Sequence, residues 1–175
     1  TLKLHLKTDT KTLDAISDDG KLSLHYDTAL SLHVKDLNLS IAQNDNTFDI
    51  PLDVTITGDN SSFHIQESNK TILSDHYTLK LKESRVQLNA KKDKTHFEFE
   101  QDKHYLRIHG TSMSEHFTNA LLGNHYFDKG DFSLQIEGKN SKDQNGTFIL
   151  QQTYIKDLKF FNNLMATINT IPSLL

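Results

Sequence analysis

The chain has no cysteine and no tryptophan, and only 2 prolines and 7 glycines in 175 residues. Without cysteine there is no disulfide framework, no thiolate zinc site and no thiol nucleophile. A secreted chain can do without bridges, so this absence leaves the compartment open. The scarcity of glycine and proline excludes collagen-like and proline-rich classes and favours long regular elements joined by polar turns. No apolar run approaches the roughly eighteen residues needed to cross a bilayer as a helix. No basic stretch followed by an apolar one opens the chain as a signal peptide would. Basic charge is also lacking: 19 Lys and Arg stand against 23 Asp and Glu, a net charge of -4. Nucleic acid is therefore not an expected partner, because its binders carry a basic field. What is present, 35% hydrophobic and 24% charged residues, is the make-up of a folded domain, and the length fits one, spanning 1–175.

The dominant pattern has period two. Leu2, Leu4 and Leu6 alternate with Lys3, His5 and Lys7; Leu22 and Leu24 alternate with Lys21, Ser23 and His25; Leu30, Leu32 and Val34 alternate with Ser31, His33 and Lys35. Such alternation predicts strands with one apolar face. After Val34 the pattern slips by one residue and resumes at Leu37, Leu39 and Ile41, so Lys35-Asp36 is expected to be a bulge or a tight turn. The alternation continues in Ile50, Leu52, Val54 and Ile56, in Phe63 and Ile65, and in Tyr77, Leu79 and Leu81. It runs on through Val86, Leu88 and Ala90, Phe97 and Phe99, Leu106 and Ile108, and Phe132, Leu134 and Ile136. Polar turns such as Ser17-Asp18-Asp19-Gly20, Gln43-Asn44-Asp45-Asn46 and Lys91-Lys92-Asp93-Lys94 separate these runs. Consecutive strands across short turns predict an antiparallel meander.

Two segments change period. Ser114 is placed as an N-cap, Phe117, Ala120, Leu121 and Leu122 follow at helical spacing, and Gly123 is placed as a stop. Leu158, Phe161, Leu164, Met165, Ile168 and Ile171 form a second stripe, ended by Pro172. Two short helices near the C-terminal end are expected, plugging one end of the sheet.

An apolar sheet face of this size cannot stay wet, since each buried methylene contributes about 0.8 kcal/mol. Two packed sheets, a closed barrel, or a single curled sheet whose lining meets foreign hydrocarbon would each satisfy it. The pattern alone leaves these open. An aliphatic lining would hold acyl chains by contact area rather than by directed bonds.

Catalytic patterns are missing. The ten histidines include His5, His25 and His33 on the polar faces of neighbouring expected strands, but H-x-H and H-E-x-x-H are absent and no metal site is expected. Asp18-Asp19-Gly20 and Asn44-Asp45-Asn46 lack the spaced ligands and closing Glu of a calcium loop and read as Asx turns. There is no G-x-S-x-G, S-x-x-K, P-loop or G-x-G-x-x-G, so no enzyme activity and no cofactor is expected. The opening residues read as mid-strand and the closing ones are apolar, which gives the expectation of a fragment of a longer polypeptide.

From about Thr111 the order of features is more particular. The Ser114 to Leu122 helix leads to Tyr126-Phe127-Asp128-Lys129-Gly130, then to a strand over Asp131 to Gly138. Gly146-Thr147-Phe148-Ile149-Leu150 and Thr153 to Leu158 follow, and the run closes on Asn162-Asn163-Leu164-Met165 through Ile171-Pro172. This order resembles the C-terminal region of AsmA-like proteins of the YhdP and TamB type, over roughly the last third of the chain. The resemblance implies a β-groove domain, a mostly antiparallel meander curled into a taco shape, within a periplasmic protein anchored in the bacterial inner membrane by regions outside 1–175. It implies phospholipid or fatty acyl chains as partners, carried for lipid transport and outer-membrane homeostasis without enzymatic chemistry. The lining it implies is the inward set: Leu22, Leu24, Leu30, Leu32, Val54, Ile56, Leu79, Leu81, Leu88, Phe97, Phe99, Leu106, Ile108, Phe132, Leu134 and Ile136. Beside it stands a self-packed β-sandwich, an interaction or adhesion module with no lipid role. A hydrolase would need converging perturbed carboxylates or histidines in one cleft.

Overall fold

Period-two alternation requires successive side chains to leave a strand on opposite faces, and a computed structural model describes how the chain uses this. It covers residues 4–9, 11–41, 53–66, 69–83, 85–140 and 143–170. The strands are β1 Leu4–Thr8, β2 Leu13–Ser17, β3 Leu22–Tyr26, β4 Leu30–Lys35, β5 Asn38–Ile41, β6 Val54–Asp59, β7 Ser62–Ile65 and β8 Lys70–Leu73. They continue as β9 His76–Lys82, β10 Arg85–Lys92, β11 Thr95–Gln101, β12 Leu106–Ser114, β13 Phe127–Asp128, β14 Asp131–Asn140, β15 Asp143–Gln151 and β16 Tyr154–Ile155. The helices are α1 Glu115–Leu122 and α2 Phe160–Thr170. The expected turn at Gln43 to Asn46, the strand start at Ile50 and Leu52, the first residues to Lys3 and the stop at Ile171-Pro172 lie outside the described residues.

Eleven strands form one open sheet in the order β1-β2-β3-β4-β6-β9-β10-β11-β12-β14-β15. Its neighbours are antiparallel with one exception, which makes the sheet mixed where an antiparallel meander is expected: β4 and β6 run parallel, Leu32 opposite Ile56. The reason is visible at Asp36. There the backbone turns into the left-handed region, φ 51, and the chain leaves the main sheet as β5 instead of reversing in a hairpin. The chain between β5 and β6 has the length that a parallel return needs.

The slip in the alternation after Val34 is thus a corner, and a second one follows 24 residues on. Asn60, φ 47, bends β6 into β7, and its side-chain amide donates to Asp36 Oδ1 at 2.8 Å. The Asp36 N–H donates to the Asp59 carbonyl at 3.0 Å, which locks the two corners together. Beyond them β5 and β7 pair in parallel and β8 joins β7 antiparallel, giving a second, three-stranded sheet. This small sheet lies over the large one: the Phe63 ring sits 4.3 Å from that of Tyr77.

The helices complete that second layer. Ser114 caps α1 by accepting from the Phe117 N–H at 3.2 Å, and Gly123, φ 72, ends it, both as its sequence predicts. Phe117 and Leu121 are buried, with the Phe117 ring 5.8 Å from Phe97 of the main sheet. Asn119 is buried and bonded through both ends of its amide: its Oδ1 accepts from the N–H groups of Tyr126 and Phe127 at 3.0 and 3.1 Å, and its Nδ2 donates to the Phe127 carbonyl at 3.0 Å. That fixes the link that carries Phe127 onto Phe132, 4.6 Å away, and Phe160 of α2 onto Phe127, 5.1 Å away.

Candidate functional site

Cross-strand register converts the apolar side of each strand into rows across the sheet. The central row runs over all eleven strands: Leu6, Ala15, Leu24, Leu32, Ile56, Leu79, Leu88, Phe99, Ile108, Ile136, Gly146. One flanking row aligns Leu22, Val34, Gly58, Tyr77, Ala90, Phe97, Gly110 and Leu134, and the other aligns Leu30, Val54, Leu81, Val86, Gln101 and Leu106. Phe132, past the bulge between Gly110 and Met113, stands on the same side. The expected lining residues therefore share one face.

They do not share one environment. Val54, Leu79, Leu88, Phe97, Phe99, Leu106, Ile108, Phe132, Leu134 and Ile136 are buried. From β9 onward the small sheet, α1 and α2 lie over the face, and all of these side chains except Val54 of β6 belong to one buried cluster beneath them. Leu22, Leu24, Leu30, Leu32, Ile56 and Leu81 remain half-buried, and Leu6 on the edge strand is 66% exposed. Among the described residues, the strands β1, β2 and β3 pack substantially only against their neighbours in the sheet. The apolar face is accordingly closed toward β15 and open toward β1.

The opposite face carries a feature that alternation alone did not single out. Two largely polar rows, His5, Ile16, Ser23, His33, Thr57 and Lys7, Asp14, His25, Ser31, Thr55, with Leu6, Ala15, Leu24 and Leu32 between them, line an open trough of about 570 Å³ across β1, β2, β3, β4 and β6. The three histidines expected on this face stand there but do not converge. His25 Nδ1 donates to Asp14 Oδ1 at 2.6 Å, His5 Nε2 meets Asp18 Oδ1 at 2.5 Å, and His33 Nδ1 meets Thr57 Oγ1 at 2.9 Å. Asp59 takes His76 at 2.7 Å and has His33 3.6 Å away. The His76 hydrogen bond holds Asp59 below the usual carboxylate range, aided by the nearby His33 charge. Among the described residues no group of three or more His, Asp or Glu is arranged to hold a metal ion.

The hydrogen bond to Asp14 raises His25 above its ordinary value of 6.5. A raised histidine adds stability that is fully present below that ordinary value and is lost as pH rises through the raised one. The His25 ring protons are expected to titrate with a midpoint above 6.5 by NMR, and Asp14→Asn should bring the midpoint back toward it; an unchanged midpoint in the variant would remove Asp14 as the cause.

No family model, no curated protein and no solved structure matches the chain.

Proposed function

We infer that the chain is a non-enzymatic lipid-contacting module, and that acyl chains of a phospholipid lie on the open half of the apolar face over Leu22, Leu24, Leu30, Leu32 and Ile56. The observation that carries this reading is the split of one continuous apolar row into a half sealed by the chain's own second layer and a half that is not. Aliphatic side chains in register give a smooth surface that interacts by area, and about ten methylenes laid on it would contribute on the order of 8 kcal/mol before ordering costs. The AsmA-like resemblance of the C-terminal third supports the same reading, and with it a periplasmic setting and an inner-membrane anchor elsewhere in a longer protein. The second reading, a self-packed interaction module without lipid, is favoured by the ten buried lining positions, nine of which lie beyond β6.

Native mass spectrometry of the protein purified from cells, with uptake of a labelled phospholipid, tests the choice. Bound lipid is expected, and Leu32→Asp should abolish uptake while the melting transition stays cooperative, because a half-buried carboxylate still reaches water. Leu24→Asn, a milder polar change in the same row, should reduce uptake in parallel. A wild-type chain that takes up no phospholipid leaves the self-packed module standing.

A further inference from the structure

Among the described residues the main sheet has two unpaired edges, and they are unlike. On β1, His5 and Lys7 put polar and charged groups along the edge, the usual protection against pairing with another chain. On β15 the one charged residue is Asp143 at its start; the rest, Gln144-Asn145-Gly146-Thr147-Phe148-Ile149-Leu150-Gln151, carries no charge and no proline, and no described strand pairs with its outer side. Ile149 is 49% exposed there.

Beside this edge α2 turns an apolar stripe outward, with Phe161 56% and Met165 51% exposed. A cavity of about 250 Å³ opens between that stripe and the β14–β15 hairpin, with Ile136, Gly146, Phe148 and Leu164 among its lining residues. Gly146 is where the central apolar row ends without a side chain: it stands opposite Ile136, and an added Cβ would lie 2.6 Å from the Gln135 carbonyl oxygen. The row therefore stops one side chain short at an unprotected edge.

We propose that β15 pairs antiparallel with β15 of a second copy of this chain, across a twofold axis at Thr147. This register sets Phe148 of each copy opposite Gly146 of the other, supplying the missing apolar side chain on the face that holds the cavity. It sets Ile149 opposite Asn145 and Gln144 opposite Leu150, and it draws the exposed Phe161 and Met165 stripes of the two copies toward one another. Twofold pairing places every side chain against one from the same strand, so a charge near the axis would meet its like. The uncharged run from Gln144 to Gln151 satisfies that condition, which an edge built to receive an acidic or basic segment would not need to meet. The contact lies at the far edge of the sheet from the open apolar half-face and does not depend on the lipid reading.

Sedimentation velocity over a broad concentration series is expected to give a dimer. Thr147→Lys, at an exposed position, should convert it to a monomer with an unchanged fold, since two like-charged side chains would leave directly opposed backbone positions about 5 Å apart. The chain has no cysteine, so Thr147→Cys reports the axis directly: mild oxidation should give a covalent dimer, while Ser31→Cys, exposed on β4, should give little. A wild-type chain that stays monomeric throughout overturns the pairing, as does a dimer that survives Thr147→Lys or a Thr147→Cys variant that crosslinks no faster than Ser31→Cys.

Discussion

Phe99→Ala is expected to lower the unfolding free energy by about 3–5 kcal/mol, whereas Leu24→Ala, in the same row of the same sheet face, should lower it by about 1 kcal/mol. The two positions look alike in sequence, each an apolar residue flanked by polar ones, and each belongs to the central row. They differ in what lies above. Phe99 is 1% exposed between Leu88 and Ile108, under the second layer, so truncation leaves a cavity that rigid neighbours cannot close. Leu24 is half-buried between Ala15 and Leu32, so truncation removes contact that was already partly to water. Chemical denaturation of the two variants measures the split, and equal losses would show that the face is covered from end to end. The same pair distinguishes stability from binding. Leu24→Ala should weaken acyl uptake in a domain that still folds, a dissociation that the buried half does not permit.

How much of this was legible beforehand follows from which physics acts locally. Alternation placed β3, β4, β6, β9, β10, β11, β12 and β14, because a half-buried strand writes its faces directly into residue order. The Ser114 cap and the Gly123 stop fixed α1 to the residue, since capping is a matter of a few neighbouring backbone groups. Weakly patterned strands were missed: β2, Leu-Asp-Ala-Ile-Ser, has Ile16 facing the polar trough, and β8, Lys-Thr-Ile-Leu, alternates the wrong way for its length. The parallel pair was also hidden. The slip at Lys35-Asp36 marked an irregularity, but whether a strand bends over its own sheet or reverses depends on the second corner at Asn60 and on the hydrogen bond joining it to Asp36.

The candidate site shows the same limit more sharply. Register brought every expected lining residue onto one face, which alternation alone dictates, yet it gave no sign of where the cover begins. That boundary is set by long-range packing: Phe63 on Tyr77, Phe117 on Phe97, Phe127 and Phe160 around Phe132. The carboxylate partners of the histidines are likewise cross-strand or turn contacts. His25 meets Asp14 because β2 and β3 are in that register, and a slip of one residue would send the two to opposite faces.

Gly58→Ala should destabilise the protein by about 3 kcal/mol, beyond what helix or strand propensity assigns to a single methyl group. Gly58 stands directly opposite Tyr77 in the β6–β9 pair, and the phenol ring lies across it: a Cβ at Gly58 would fall 1.9 Å from Tyr77 Cε1 and 2.3 Å from Cζ. The ring has nowhere to retreat, because Tyr77 is 0% exposed and its other side is held by Phe63. Either the ring leaves its place, which resembles truncating a core aromatic, or the small sheet lifts from the large one. A double-mutant cycle identifies the ring as the obstacle: in a Tyr77→Ala background the Gly58→Ala change should lose most of its effect, and an undiminished effect there would point to the backbone instead. Tyr77→Phe separates the ring from its hydroxyl, which is buried without a hydrogen-bond partner and whose pKa burial pushes from 10.0 up to about 12. The native state holds that proton after the unfolded chain has released it, so this contribution to stability is complete below pH 10 and is lost as pH rises toward 12. Tyr77→Phe should keep the fold, match or slightly exceed wild-type stability at neutral pH, and lose less stability than wild type over that alkaline range, which thermal melts across the pH series would record.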